Sequence, residues 1–168
     1  MEYKIEFMKE AIDQALISSK DDNFPVGAVL VIDGMIVDKA RNLLNTNSDW
    51  ISHAEMNLLI KHSPLIKKSR QNDIPVEIYT TFEPCLMCLG ACALHRISRI
   101  IFALPDNFTG SVNAINEKLL PVGYREIFPK IEETNSFRKE SQEMLAKYMS
   151  EHKSPKWDAA KKLLEDME

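Results

Sequence analysis

Two short stretches constrain this chain more than anything else in it: His53-Ala54-Glu55, and then Pro84-Cys85-Leu86-Met87-Cys88. One imidazole and two thiolates make three ligands for a zinc ion and leave a fourth position open. A structural zinc closes that position with protein, whereas a catalytic zinc keeps it for water. The same residues dictate the local fold. Cys85 and Cys88 stand at the expected start of a helix, where free amides and the helix dipole favour thiolates over thiols. His53 and Glu55 open a second helix, and the helical period puts them about 200° apart on its wheel. They share no face, yet both reach an ion above the helix end, one to ligate it and one to touch its water. The chain must therefore aim two helix N-termini at one point, which strand–helix units do.

The rest of the sequence supplies such units. Apolar spacing predicts a helix over 4–20, with Ile5, Met8, Ile12, Ala15 and Leu16 on one face. Strands are expected at 26–31 and 35–40, joined by the two-residue turn Asp33-Gly34. A polar loop over 42–49 leads to a helix over 52–61, and a basic, polar connection over 63–75 leads to a strand at 76–81. A helix over 84–95, a strand over 98–103, a loop over 105–113, a short helix over 114–120 and a last strand over 124–128 follow. Helices over 136–149 and 155–167 close the chain, the second started by Ser154-Pro155. Strands alternating with helices imply a layered α/β sandwich, helices packed on a mixed sheet. A length of 168 residues suits a single domain, here a core over 4–150 with a helical extension over 151–168.

Composition narrows the setting. With 45% apolar and 27% charged residues, the chain reads as an ordinary globular protein. No apolar run approaches the roughly 18 residues of a membrane span. The N-terminal stretch carries Glu2, Glu6, Glu10 and Asp13, unlike a signal peptide. Three cysteines, two of them at metal spacing, argue for a reducing, cytoplasmic compartment and against a disulfide framework. A net charge of -4 gives no support for broad phosphate binding. A lone Cys-x-x-Cys is often structural, redox-active or merely packed, and a lone His-x-Glu is mostly helix surface. Their conjunction, with Pro84 before the first cysteine and a strand before each helix, carries the reading. Cys92 lies one turn beyond Cys88 and is expected in the core. His62, His95 and His152 have no partner motif.

His-x-Glu followed by Pro-Cys-x-x-Cys is the signature of zinc-dependent nucleobase deaminases. Over residues 4–150 the chain resembles the cytidine deaminase-like superfamily, in the branch of tRNA adenosine deaminase, guanine deaminase and yeast-type cytosine deaminase. The matching stretches are 25–31, Asn42, His53-Ala54-Glu55, 81–91 and 96–102. The resemblance implies a three-layer α/β/α sandwich with a five-stranded mixed sheet, one zinc per subunit and a homodimer. It implies that Asn42 hydrogen-bonds the base or sugar and that the backbone amide of Ala54 meets the base. Phe24 would line the pocket, and Asp106 would stand near its mouth. From the residues themselves, His53, Cys85 and Cys88 are the expected zinc ligands. Glu55 is the expected catalytic group, carrying a proton between water, a ring nitrogen and the departing amine.

The chain also departs from that pattern. Ser48-Asp49-Trp50-Ile51-Ser52 replaces the usual Asp-Pro-Thr-Ala before the histidine, and Trp50 is expected to shape the pocket entrance. Ser111-Val112-Asn113 follows Thr109-Gly110 where the tRNA enzymes carry small residues and a Gly-Ser. Residues 137–168, often strongly basic in those enzymes, hold 7 Lys and Arg against 7 Asp and Glu. Three functions follow as alternatives. The first is a hydrolytic deaminase of a free nucleobase or nucleoside. In it, residues 154–168 either fold over the pocket as a lid or anchor in the core through Trp157. The second is an adenosine deaminase acting on tRNA, gripping RNA through Lys61, His62, Lys67, Lys68 and Arg70. The third is a non-catalytic zinc-binding partner subunit, against which Glu55 argues. Guanine, cytosine and adenine differ by a few hydrogen bonds in such a pocket, so the base itself stays open.

Overall fold

A computed structural model of the chain describes residues 3–112, 114–152 and 154–165. Five strands, β1 (Gly27–Ile32), β2 (Met35–Arg41), β3 (Val76–Phe82), β4 (Arg99–Leu104) and β5 (Lys130–Glu133), form one sheet ordered β2-β1-β3-β4-β5. β1 runs antiparallel to both neighbours, while β3, β4 and β5 are parallel. The helices are α1 (Ile5–Lys20), α2 (Leu44–Asn47), α3 (Ala54–Gln71), α4 (Leu86–Leu94), α5 (Val122–Arg125), α6 (Arg138–Glu151) and α7 (Pro155–Glu165). A parallel pair needs a crossover, and α4 supplies it between β3 and β4.

Alternation along the strands builds a core on each face of the sheet. Val29, Val31, Tyr79 and Ile101 point toward α1, where they meet Phe7, Met8 and Ala11. Ala28, Leu30, Ile78 and Ile100 point the other way and pack with Leu58, Leu59, Leu89 and Cys92 of α3 and α4. The result is the expected three-layer sandwich. Gly27 is where α1 crosses β1, since a Cβ there would lie 2.1 Å from the Ala11 carbonyl oxygen. Asp33 and Gly34 adopt φ of 52° and 72°, the left-handed pair of the expected hairpin turn.

Several boundaries differ from the sequence expectation. On α1 the buried stripe is Phe7, Met8, Ala11, Ile12, Ala15 and Ser18, while Ile5 and Leu16 are exposed. The connection expected over 63–75 is mostly helix, because α3 runs through Pro64 to Gln71. Pro64 lies on the exposed side, and Ile66 and Ser69 beyond it are buried and hold the second half down. The strand expected over 124–128 is instead the helical turn α5, and the last strand comes later as Lys130–Glu133. There only Ile131 reaches the core, so a four-residue edge strand shows little apolar alternation. The 114–120 helix reduces to a 3-10 turn at Glu117–Leu119, and the polar loop over 42–49 contains α2. Expectations that fall on residues 1–2, 113 and 166–168, the far end of the last helix among them, lie outside the described residues.

Candidate active site and metal centre

The two motifs meet as the spacing demands. His53 is the residue before α3 and Cys85 the residue before α4, both in extended conformation with φ of -69° and -70°. Their carbonyls accept the first helical bonds, from Asn57 and Leu89, so each side chain stands over a helix start with its ring or sulfur free. His53 Nδ1 lies 3.7 Å from Cys85 Sγ and 3.5 Å from Cys88 Sγ. Zinc bonds of about 2.0 Å to nitrogen and 2.3 Å to sulfur, set tetrahedrally, separate N and S by about 3.5 Å. The residues thus fit a zinc ion, and the three ligating atoms all lie within 4.8 Å of one another. Cys92 is fully buried in the core with a raised pKa and takes no part.

Electrostatics favour the same use. Hydrogen bonds from the Cys88 thiol, His53 and the Cys88 amide outweigh burial and hold the Cys85 thiol down at about 4. The same contact with Cys85, together with burial, pushes the Cys88 thiol up. His53 is raised, chiefly by its bond to Cys85. A dication would serve both sulfurs as thiolates. Glu55 is 3% exposed, and desolvation raises its carboxyl above the ordinary range. Its Oε1 accepts a hydrogen bond from Thr80 Oγ1 at 2.9 Å, and its Oε2 lies 3.6 Å from Cys88 Sγ.

These groups open onto a cavity of about 660 Å³. That volume lies within the range of small-molecule sites. Asn42, Phe24 and Asp106 all line it, as does the highly exposed Trp50. Asn42 Oδ1 accepts the Leu44 amide at 3.0 Å, which leaves Nδ2 as the donor of that side chain. Asp106 spends its carboxylate inside its own loop, on Phe108 N–H and the Thr109 hydroxyl. Ala54 is buried in the core and does not line the cavity. Trp157 stacks on Phe24 with ring centroids 5.6 Å apart, and Ala160 and Leu164 complete that side, so α7 covers the cavity and packs into the core at once. Sequence reasoning missed Glu83, whose Oε2 and Oε1 accept the Asp106 and Val112 amides, each at 2.8 Å, and so pin the loop over 106–112. It missed Thr80 as well. Both sit beside a recognised motif, but neither residue type announces a role.

A profile of the cytidine and deoxycytidylate deaminase zinc-binding region matches residues 1–104. The chain belongs to this family. It is 38% identical over 100 residues to the tRNA-specific adenosine deaminase of Bacillus subtilis (strain 168), a match covering 60% of this chain and 61% of that protein. The match thus spans less than two thirds of that relative's length. A solved structure from work on tRNA:A34 deaminases editing the wobble position superposes with a TM-score of 0.64 at 26% identity, over 77% of this chain and 97% of that one. Guanine deaminase from Nitrosomonas europaea shares the fold, with a TM-score of 0.63 at 17% identity over 89% and 86% of the two chains.

Within this deaminase family member, the expected RNA-gripping cluster is not at the cavity. Lys61, His62, Lys67, Lys68 and Arg70 run along α3, and none lines it. Asp38 Oδ2 takes both Lys61 and His62 at 2.7 Å, and Arg70 donates to the Ile74 carbonyl. The described cavity wall carries no Lys or Arg and four carboxylates, those of Asp49, Glu55, Glu83 and Asp106.

Proposed function

We propose that this chain is a zinc-dependent hydrolase that replaces an exocyclic amino group of a small nucleobase or nucleoside with oxygen. The observation that carries the reading is the cavity itself. Glu55 and the His53, Cys85 and Cys88 cluster lie at it, aromatic rings close it, and its described wall offers no cation for a phosphate. His53, Cys85 and Cys88 would hold the ion. When bound, zinc supplies a Lewis acid that makes water a nucleophile near neutral pH. Glu55 would take one proton from water and pass it to the ring nitrogen beside the carbon under attack, then take the second from the hydroxyl left on that carbon and deliver it to the departing amine. A C–O bond forms, a C–N bond breaks, one water is consumed and one ammonia leaves. Burial raises the proton affinity of Glu55, which suits a group that must accept a proton and hand it on twice.

Substrate contacts follow the same logic. Asn42 Nδ2 offers a donor to a base or sugar oxygen or nitrogen. Phe24 and Trp157 offer ring faces, and Asp106 holds the loop at the mouth. We also propose a cytoplasmic homodimer. Thiolate ligands favour a reducing compartment. Ile60, Leu86 and Leu94 leave apolar side chains 60%, 63% and 63% exposed on α3 and α4. Among the described residues no helix is long and apolar enough to cross a membrane.

The test is ammonia release by the zinc-loaded chain from guanine, cytosine, adenine, their nucleosides and total tRNA, with Glu55→Gln alongside. Release from a base or nucleoside, lost in the variant while zinc is retained, is expected. The second reading, deamination of adenosine in tRNA, is favoured by the sequence relatives, and release from tRNA alone would put it in place of the first. Activity undiminished in Glu55→Gln would remove both.

A further inference from the structure

We infer that Thr80 is a positioning residue that orients the Glu55 carboxylate for proton transfer, an inference that rests on the deaminase reading of this site. On β3, Ile78, Thr80 and Phe82 share the face toward α3 and α4. Ile78 and Phe82 pack there as apolar groups, and Thr80 is fully buried between its sheet partners Ala28 and Phe102. A valine would fill the same space with the same strand preference and would bury no hydroxyl. The hydroxyl makes one hydrogen bond, to Glu55 Oε1. The neighbouring Thr81 shows the contrast. It faces the other side of the sheet, where its hydroxyl accepts the Gly27 amide at 3.2 Å in a purely backbone role.

The geometry gives the Thr80 bond a task. A glutamate has three side-chain torsions, and its carboxylate must be held before it shuttles a proton well. Apart from the backbone amide of Glu55 itself, the donors to this carboxylate among the described residues are Thr80 and the Cys88 thiol. The Cys88 contact is a long one, 3.6 Å from a weak thiol donor, beside 2.9 Å from the Thr80 hydroxyl. Thr80 thus fixes Oε1 and leaves Oε2 to carry the proton.

The experiment compares Thr80→Val, which keeps the shape, with Thr80→Ser, which keeps the hydroxyl, on the zinc-loaded full chain. Zinc content, kcat and KM are measured on the panel of guanine, cytosine, adenine, their nucleosides and total tRNA. A hydrogen bond to a charged group is worth enough that its loss should lower kcat about tenfold to a hundredfold. KM and zinc content should hold in Thr80→Val, and Thr80→Ser should recover most of the rate. Unchanged kcat in Thr80→Val beside an inactive Glu55→Gln overturns this inference and leaves the deaminase reading standing. Equal losses in both Thr80 variants, or loss of zinc, reduce Thr80 to a packing residue. The carbon-13 carboxyl resonance of Glu55, assigned by its absence in Glu55→Gln, gives a readout that needs no substrate. It should shift in Thr80→Val and stay near its place in Thr80→Ser, and no shift overturns the inference.

Discussion

Gly110 lies against Glu83. A Cβ there would come within 2.3 Å of the Asp106 carbonyl oxygen and 2.6 Å of the Glu83 carboxylate. Gly90, in the middle of α4, would meet nothing within 4 Å. One substitution therefore has opposite expected signs at the two sites. Gly110→Ala should destabilise by about 1–3 kcal/mol through overpacking, whereas Gly90→Ala should stabilise by about 0.5–1 kcal/mol as a helix-interior exchange. Urea titrations of both variants check this, and a stabilised Gly110→Ala would refute the pinned loop. The residue scale also shows what a sequence can reveal. His53, Glu55, Cys85 and Cys88 were legible because metal ligation demands particular atoms at local spacings. Thr80 and Glu83 were not. Their partners lie 25 residues away for Thr80, and 23 and 29 away for Glu83, and threonine in a strand or glutamate in a turn is ordinary.

Asp38 ties β2 to α3. Burial alone would raise its carboxyl, but bonds from His62, Lys61 and the Lys39 amide outweigh it and lower the pKa from 3.8 to about 2. A carboxyl depressed on folding adds stability above its unfolded pKa and loses it as pH falls through the folded value. The contribution is thus complete above about pH 4 and drains away toward pH 2. Thermal melts across that window should flatten in Asp38→Asn, and an unchanged acid slope would show that the pairing is inert. This contact also explains why α3 was misread. Lys61 and His62 looked like part of a basic run, yet they fold back on an edge strand. The polar stretch beyond them reads as a connection, yet the helix passes on through Pro64, which lies on the exposed side. β5 escaped notice for a related reason: a charged edge strand of four residues lacks the apolar alternation by which strands are recognised.

The whole molecule converges on one point. Two helix N-termini on one face of the sheet and α7 over the cavity all depend on chain segments far apart in sequence. Layer order was legible from strand–helix alternation, but the closure by Trp157 on Phe24 was not, because an aromatic on a helix face reads equally as core. Metal loss should loosen that convergence without abolishing the sandwich, whose two cores are built by the sheet with α1 on one face and α3 and α4 on the other. Ligand binding at a hundredfold excess over Kd is worth about 2.7 kcal/mol. Calorimetry with and without a chelator should therefore show a lower Tm that zinc restores, with far-ultraviolet dichroism at room temperature unchanged. Equal melting temperatures would mean that the ligands hold no ion.

The closeness of the two sulfurs has a consequence for redox chemistry. With the ion gone, Cys85 and Cys88 stand within 4.8 Å of each other at a helix start. Any oxidant that converts one thiolate to a sulfenic acid gives the other a target, and the pair closes into a disulfide with loss of water. The ion is then also a protecting group. Chelation under a reductant leaves a site that refills, while chelation in air leaves one that must be reduced before it can.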